Sequence, residues 1–257
     1  MSKKNLKNFQ QMKKNNIGIS CLTAYDASFA LILDKAGIDI ILVGDSLGEV
    51  IKGEKSTHNV IQKEMMYHTS SVKKGVKEAY LISDMVINSY NTKKQALNHA
   101  MQLINSGADM VKIESTLKHL DIIKFLTSKK IHVCAHIGVR PQYKKKNMPY
   151  KKVGLTTKSK ELILNEAQAI EKSGAKLLIA ECIDSHLAKE ISQKLSIPVI
   201  GIASGNYCDG QILVLYDLLG ISYNGLPKFI SHNFFKTQDI RSRISEYIKK
   251  TKQKKKF

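Results

Sequence analysis

One pattern recurs along this chain and restricts the folds open to it: a helical stretch, a glycine, a short apolar run and a carboxylate, in that order. Four segments follow the pattern, and in each the carboxylate lies seven to nine residues after the glycine; they are 37–45, 75–84, 107–114 and 174–181. A glycine can end a helix in the left-handed conformation. A short, almost continuously apolar strand is typical of a parallel sheet, because neither of its faces meets water. The pattern therefore predicts repeated helix–strand units.

The number of such units favours one architecture. Further apolar runs at 17–26, 131–138, 198–204 and 212–217 raise the number of candidate strands to eight, and eight strand–helix units in 257 residues match the size of a (β/α)8 barrel. An open doubly wound sheet is the rival, but residues 44–48 do not fit the G-x-G-x-x-G turn and the sequence contains no P-loop. We predict a single-domain α/β protein, a (β/α)8 TIM barrel spanning 1–257. A short helical extension at 1–16 should pack on the outside or the bottom of the barrel, and a lysine-rich tail at 249–257 should be frayed.

The charge of the chain is unusual, because 41 basic and 22 acidic side chains give a net charge of +19. Only Arg140, Arg241 and Arg243 are arginines, the residue type on which proteins that read phosphates and base edges usually depend. The lysines are scattered, apart from 144–146 and six of the nine residues of 249–257. We expect a lysine-biased, solvated surface and no specific nucleic-acid partner. A lysine-rich nucleic-acid-binding protein is the less favoured alternative.

Two further features concern the compartment. No apolar run approaches the roughly 18 residues that cross a bilayer, and residues 1–16 lack the apolar stretch of a secretory signal. The four cysteines, Cys21, Cys134, Cys182 and Cys208, form no C-x-x-C pair, and we interpret them as reduced. We expect a cytoplasmic protein with no membrane partner.

The ends of the candidate strands carry the chemistry. In a parallel barrel all strands point their carboxyl ends at one mouth, so residues at those ends meet however far apart they lie in the sequence. Lys112 lies two residues before Glu114, and therefore on the same face of its strand. The strand ends carry, in chain order, Asp45, Asp84, Glu114, His136, Glu181 and Ser204.

Carboxylates gathered at one mouth repel each other unless a cation or a proton lies among them. Oxygen ligands with no cysteine nearby favour Mg²⁺ over zinc, and we assign Asp45, Asp84 and Glu114 to the metal. Glu181, two strands further round, is assigned as a general base. A metal bound to the carboxylate and keto oxygens of a 2-oxo acid stabilises an enolate. The predicted reaction is therefore proton abstraction next to a carbonyl, followed by carbon–carbon bond formation.

Each of these residues also has a purely structural interpretation. A carboxylate after a strand often caps the next helix, which is the alternative for Asp45 and Asp84. Lys112 could be a packed stem with its amine at the mouth, stabilised by Glu114, rather than a partner for a substrate carboxylate or phosphate. His136 could be a satisfied core histidine rather than a substrate ligand.

Nine short stretches carry a more specific signal. They are 23–26 (TAYD), 42–48 (LVGDSLG), 67–69 (YHT), 108–114 (ADMVKIE), 136–142 (HIGVRPQ), 181–182 (EC), 197–202 (IPVIGI), 209–214 (DGQILV) and 227–229 (PKF). Together they resemble the 3-methyl-2-oxobutanoate hydroxymethyltransferase family, also called the ketopantoate hydroxymethyltransferases. The resemblance extends from about residue 6 to residue 247.

The resemblance implies a metal-dependent one-carbon transfer. By it, one Mg²⁺ per subunit lies among Asp45, Asp84 and Glu114. Ser46 and Lys112 join Asp45 and Asp84 in holding the substrate, and Glu181 accepts the proton. The family adds the enolate of 3-methyl-2-oxobutanoate to the one-carbon unit of 5,10-methylenetetrahydrofolate, giving 2-dehydropantoate and tetrahydrofolate in pantothenate biosynthesis. Members of the family are cytoplasmic homodecamers of (β/α)8 subunits, so the implied partners are a 2-oxo acid, a folate and other copies of the chain.

The chain departs from the family pattern at three places. Ala203 and Ala135 stand where glycines are usual, and the loop at 148–155 lacks a glycine-rich piece. These changes leave the predicted metal ligands and base intact, so we expect weaker folate binding rather than a different reaction. The alternative within the same fold is another Mg²⁺-dependent, enolate-forming lyase or mutase, although the catalytic cysteine loop usual in that group is not found here.

Overall fold

Eight parallel strands form a closed barrel in the computed structural model, which describes residues 3–143, 151–227, 229–230 and 239–253. Each strand pairs with its neighbours in the sequence, and the last pairs with the first. This is the predicted (β/α)8 architecture. The strands are β1 Ile19–Thr23, β2 Ile40–Val43, β3 Tyr80–Asp84, β4 Met110–Glu114, β5 Val133–Gly138, β6 Leu177–Glu181, β7 Val199–Ile202 and β8 Gly210–Leu213.

Helices follow every strand except β7, which is followed directly by β8, and polar residues mark where several of the helices begin. Thr92 and Thr156 each accept a hydrogen bond from the backbone N–H three residues further on, and so does Asp26 after β1. Such caps satisfy backbone donors that the first helical turn leaves unpaired. The helices of the described residues are α1 Leu6–Lys14, α2 Ala27–Lys35, α3 Leu47–Val50, α4 Gln62–Gly75, α5 Lys93–Asn105, α6 Leu120–Ser128, α7 Thr157–Lys172, α8 Ser185–Lys194, α9 Leu215–Leu219 and α10 Ile240–Lys252.

Alternation along the strands separates side chains that face the helices from side chains that face the barrel interior. Within the interior, the early strand positions form an apolar floor and the late positions form a polar mouth. On β4, Val111 and Ile113 face the surrounding helices and Met110 belongs to the floor. Lys112 and Glu114 line the cavity above it. The two-residue period of a strand produces this arrangement from the sequence alone. The floor is completed by Ile19, Cys21, Ile40, Leu42, Tyr80, Ile82, Cys134, Leu177, Ile179, Ile200 and Ile212.

Helix α1 closes the floor from below, as one of the two predicted positions for the N-terminal extension requires. Phe9 is fully buried, and its ring meets that of Tyr80 edge to face at 5.5 Å. Lys13 Nζ donates to Asp209 Oδ2 at 2.7 Å and so ties the helix to the start of β8.

Three of the four glycines in the repeated pattern end helices in the predicted left-handed conformation. Gly37, Gly107 and Gly174 have φ values of +82°, +111° and +102°. Gly75 differs, because it is the last residue of α4 and has no positive φ. A Cβ there would lie 2.3 Å from the carbonyl oxygen of Ala27, so this glycine is required by the close approach of α2.

The expected strand at 212–217 is wrong at its end. The strand is Gly210–Leu213, and Leu215–Leu219 is helical. The backbone N–H of Leu215 donates to the hydroxyl of Thr23 at 3.0 Å, which takes it out of the sheet ladder. Gly220, with φ of +73°, then ends the helix.

The lysine-rich end of the chain is also more ordered than expected. Helix α10 continues to Lys252, so Lys249–Lys252 are helical rather than frayed, while residues 254–257 lie outside the described residues. The hydroxyl of Tyr247 anchors this helix, because it donates to the carbonyl oxygens of Cys21 and Gln211. The lysine run 144–146 also lies outside the described residues. No helix in the described part of the chain is long and apolar enough to span a membrane.

Candidate active site

A cavity of about 750 Å³ opens at the carboxyl ends of the strands. Its walls contain all seven side chains predicted for the site: Asp45, Ser46, Asp84, Lys112, Glu114, His136 and Glu181. Ser204, the other residue placed at a strand end, has a structural role. Its hydroxyl donates to the carbonyl oxygen of Ala180 and accepts from the N–H of Ile183, which joins β7 to β6.

The strand-end carboxylates do not cap helices. The helix after β3 is capped by Thr92, the turn after β4 by Thr116, and the helix after β6 by Asp184. Helix α3 begins after Ser46 and has no side-chain cap at all. The capping alternative for Asp45 and Asp84 is therefore wrong, and the burial of these two carboxylates requires another explanation.

Lys112 is paired with Asp84, not with Glu114. The two residues lie opposite each other on neighbouring strands, and Lys112 Nζ donates to Asp84 Oδ1 at 2.8 Å. Burial alone would lower the pKa of Lys112, but the surrounding carboxylates, above all Asp84 and Asp45, raise it above its usual value. The ammonium group therefore keeps its charge at the cavity wall.

Asp45 is the carboxylate most affected by its surroundings. Burial, followed by repulsion from Asp84, raises the pKa of Asp45 to about 7. Lys112 and a hydrogen bond from Gln142 Nε2 to Asp45 Oδ2, at 2.8 Å, act in the opposite direction. The backbone N–H of Asp45 donates to Asp84 Oδ2 at 3.1 Å, so the two acids are held side by side. The two carboxylates share one cation, Lys112, and Asp45 therefore keeps its proton to a higher pH than an exposed aspartate does.

His136 lies between the other two acids. Its Nε2 is 3.3 Å from Glu181 Oε2 and its Nδ1 is 3.8 Å from Glu114 Oε1. Neither contact with these two carboxylates is aligned as a hydrogen bond, and the ring lines the cavity. Burial, with Lys112 and Arg140 nearby, holds the pKa of His136 well below its usual range, and the ring is neutral.

The pKa of Glu114 is raised well above its usual value, first by burial and then by Asp45. One of its oxygens, Oε2, accepts the backbone N–H of Gln142 at 2.9 Å. Glu181 lies nearer the rim, with its side chain 17% exposed. Its strand position opposite Gly138 places it across the cavity from β2 and β3.

Ser46 adds a hydroxyl group to the wall, and its hydrogen-bond partner Tyr25 is a buried core residue. Their oxygens are 2.8 Å apart and hydrogen-bonded. Burial raises the pKa of the Tyr25 phenol, which keeps its proton. Ser46 therefore has a fixed neighbour and presents a neutral polar atom beside Asp45.

The sequence interpretation assigned no role to Gln142, although the residue lies in one of the quoted stretches. It occupies a short 3₁₀ turn, Pro141–Tyr143, after β5. Its partners include Asp45 and Met85, which lie 97 and 57 residues away in the sequence. No local pattern could have indicated these contacts.

Within 3–143, 151–227, 229–230 and 239–253, no three His, Cys, Asp or Glu side chains converge closely enough to enclose a metal. Several carboxylate oxygens are also engaged by hydrogen bonds within the protein. Both oxygens of Asp84 accept protein hydrogens, from Lys112 and from the Asp45 N–H, and one oxygen of Glu114 accepts that of Gln142. The protein alone offers part of a coordination shell.

The residues that depart from the family pattern occupy different places. Ala203 lines the cavity with φ of +52°, so it adopts the conformation that a glycine would adopt more easily. Ala135 instead packs outward against the helices. Residues 148–150 lie outside the described residues, and Val153 pairs with the end of β6 by accepting the Asp184 N–H.

Fold and site together define a TIM-barrel protein whose mouth gathers carboxylates, a lysine and a neutral histidine. The chain belongs to the ketopantoate hydroxymethyltransferase family, whose profile matches residues 3–257. It is 45% identical over 250 residues to a 3-methyl-2-oxobutanoate hydroxymethyltransferase of Ruthia magnifica subsp. Calyptogena magnifica, covering 97% of this chain and 96% of the relative. It is also 45% identical over 248 residues to that of Shewanella sediminis (strain HAW-EB3), covering 96% and 94%. The predicted family and enzyme class are confirmed.

Solved structures of other enzymes share the fold. One is phosphonopyruvate hydrolase in complex with oxalate and Mg²⁺, with a TM-score of 0.62, 14% sequence identity, and coverage of 83% of this chain and 81% of that one. At this identity the likeness concerns the fold alone.

Proposed function

We propose that this protein transfers a hydroxymethyl group from 5,10-methylenetetrahydrofolate to carbon 3 of 3-methyl-2-oxobutanoate, in pantothenate biosynthesis. The products are 2-dehydropantoate and tetrahydrofolate. Family membership supports the reaction class. The observation that carries the chemistry is the group of four buried or half-buried carboxylates with Lys112 and His136 around one cavity.

Mg²⁺ fits the donor set at Asp45, Asp84 and Glu114. These are hard oxygen ligands, and burial together with the neighbouring Asp84 raises the pKa of Asp45, so a cation beside this carboxylate would favour its ionised form. Mg²⁺ is usually held by one or two carboxylates, with water and substrate oxygens in the other positions. An incomplete protein shell therefore agrees with one Mg²⁺ per subunit, and Glu114 can contribute through water. When bound, the ion would draw electron density from the keto and carboxylate oxygens of the substrate.

Residues of the chain bind the substrate and transfer its proton. Lys112, charged and fixed by Asp84, binds the substrate carboxylate, and Ser46 donates to the same end of the molecule. Glu181 accepts the proton from carbon 3. The neutral His136 ring, 3.3 Å from Glu181 Oε2, lies beside that carboxylate and lines the substrate. A positioned base contributes roughly 10² to 10⁴ in rate.

The transfer balances with one water molecule. Carbon 3 loses its proton to Glu181 and forms a bond to the methylene carbon of the folate. The two bonds between the methylene carbon and the folate nitrogens break, and water supplies the hydroxyl group of the product. The two nitrogens take up the proton that Glu181 removed and the second proton of the water, so tetrahydrofolate leaves.

One experiment tests the first half of the reaction. The protein with Mg²⁺ and 3-methyl-2-oxobutanoate in deuterated water should exchange the hydrogen at carbon 3, as measured by proton NMR. A coupled assay for 2-dehydropantoate, with and without the folate and Mg²⁺, tests the second half. Absence of exchange at high protein concentration would contradict the assigned chemistry, while exchange without folate-dependent product would favour the lyase or mutase alternative.

We also propose that the protein is a cytoplasmic homo-oligomer, a decamer by its family, and that it binds no specific nucleic acid. Large apolar side chains on the described surface support the assembly: Tyr67 and Tyr223 are 68% and 75% exposed, and Leu155 and Leu162 are exposed as well. Association buries such side chains. Light scattering coupled to gel filtration measures the subunit number, and a monomer at micromolar concentration would contradict the proposal.

A further inference from the structure

Gln142 contacts two of the proposed metal ligands at once. It is almost fully buried, and its backbone N–H donates to Glu114 Oε2 at 2.9 Å. Its side chain reaches in the other direction, where Nε2 donates to Asp45 Oδ2 at 2.8 Å. One residue thus fixes one oxygen of each carboxylate.

The orientation of the Gln142 amide is determined by its neighbours. Nε2 has two hydrogens, and both are used, by Asp45 Oδ2 and by the carbonyl oxygen of Met85 at 2.9 Å. Because the Met85 carbonyl can only accept, a flipped amide would place its own oxygen against another acceptor. Oε1 must therefore accept a hydrogen bond, and the buried hydroxyl of Tyr90 supplies it at 2.5 Å.

We propose that Gln142 is a positioning residue for the metal site, held in place by Tyr90. By occupying Asp45 Oδ2 and Glu114 Oε2, it leaves the remaining oxygen of each carboxylate to face the cavity and the ion. The inference rests on the proposed Mg²⁺ site. Partners of metal ligands commonly change metal affinity by 10- to 100-fold when they are removed.

A merely structural role for these residues makes a different prediction, and the chain offers a matched control. Tyr80 is a second buried tyrosine whose hydroxyl bonds to the carbonyl oxygen of Asp109 and to His132 Nδ1. It lies in the floor, at the opposite end of the barrel. Tyr80→Phe and Tyr90→Phe therefore remove the same atom from the same fold, but only the second change touches the proposed metal site.

The experiment measures Mn²⁺ binding to the full-length chain by the loss of the free-ion signal in electron paramagnetic resonance. Urea unfolding of each variant is measured alongside. We expect Tyr90→Phe to weaken Mn²⁺ binding by about 3- to 10-fold and Gln142→Ala by about 10- to 100-fold, while Tyr80→Phe stays within two-fold of wild type. KM for the 2-oxo acid should rise with the Mn²⁺ dissociation constant, while KM for the folate should not.

The outcomes separate the two proposals. If wild type and both tyrosine variants bind Mn²⁺ equally, Tyr90 does not hold Gln142 for the metal site and the inference as stated is wrong; if Gln142→Ala also binds equally, Gln142 has no positioning role, and in both cases the metal assignment stands. If wild type binds no Mn²⁺ even with the 2-oxo acid present, the metal assignment fails and this inference fails with it. Should Gln142→Ala not fold, the pair of tyrosine variants still decides the question.

Discussion

Asp45 is a buried carboxylate held beside another carboxylate, an arrangement that opposes folding unless a cation or a proton compensates. Its pKa of about 7 lies above its usual value of 3.8, so the folded chain binds the proton more tightly than the unfolded chain does. The stabilisation that comes from this proton is fully present below pH 4 and is lost as the pH rises through 7. A buried carboxylate that is kept for metal binding reduces the stability of the metal-free protein.

Asp45→Asn should therefore stabilise the metal-free protein at high pH. Asparagine keeps an oxygen for the Gln142 donor but does not titrate. When the pH is raised from 5 to 8, the free energy of unfolding of wild type should fall by about 3 kcal/mol relative to that of the variant. One pKa unit corresponds to about 1.4 kcal/mol. Urea unfolding in EDTA at both pH values measures this, and the variant should no longer bind Mn²⁺. Parallel pH dependences in the two proteins would contradict the explanation.

We propose that Glu181 acts on the substrate and not on the metal. Glu181→Gln should retain Mn²⁺ and 2-oxo acid binding within a few-fold, because Glu181 is not among the proposed ligands. Exchange at carbon 3 should fall by roughly 10² or more, since glutamine cannot accept the proton. Proton NMR in deuterated water measures the exchange, and a variant that exchanges at the wild-type rate would remove Glu181 from the role of base.

At the scale of elements, the floor of the barrel stabilises the fold, while the mouth contains the candidate site. Helix α1 seals the floor with Phe9, while the cavity lies at the opposite end. Phe9→Ala should lower the free energy of unfolding by about 3 to 5 kcal/mol, because it removes a buried ring and leaves a cavity. Gln10→Ala, on the exposed side of the same helix, should change it by less than about 0.5 kcal/mol.

Denaturant unfolding measures both variants, and Mn²⁺ affinity serves as the second readout. Because the ring lies at the far end of the barrel from the proposed ligands, Phe9→Ala protein that is folded at low temperature should bind Mn²⁺ as wild type does. A change in affinity larger than two-fold would show that floor and mouth are coupled.

The elements that could be predicted are those whose residues decide their own structure. Met110–Glu114 and Leu177–Glu181 lie within the predicted segments 107–114 and 174–181 and end at the predicted carboxylates, because a left-handed glycine precedes each apolar run and a carboxylate ends it. No left-handed glycine lies just before the run 212–219, and no carboxylate marks the end of its strand. Its division into strand and helix depends on the hydroxyl of Thr23, nearly 200 residues earlier, which no local pattern reveals.

The site follows the same logic. Parallel topology alone brings the strand-end acids to one mouth, so their meeting could be predicted. Details set by side-chain contacts could not: Lys112 pairs with Asp84, and Gln142 joins Asp45 to Glu114 from a loop. These contacts depend on the barrel register and on the 3₁₀ turn at Pro141–Tyr143.

At the scale of the whole molecule, the net charge of +19 is the feature that the proposed reaction does not use. Such a charge attracts any polyanion, and the attraction depends steeply on salt because binding releases counterions. Lysines dispersed over a barrel surface supply this general attraction without a shaped site for bases. The tail of α10, Lys249–Lys252, belongs to a helix packed on the barrel and continues the same dispersed surface.

The protein should therefore bind oligonucleotides only at low ionic strength and without preference for sequence. Filter binding between about 50 and 200 mM salt should show an affinity that falls by orders of magnitude, as expected for several phosphate contacts. Dextran sulfate, a polyanion without bases, should compete as well as nucleic acid at equal charge, because only charge is recognised. Affinity that persists at physiological salt, together with a preferred sequence that dextran sulfate cannot displace, would mean that the basic surface has a function of its own beside the catalytic mouth.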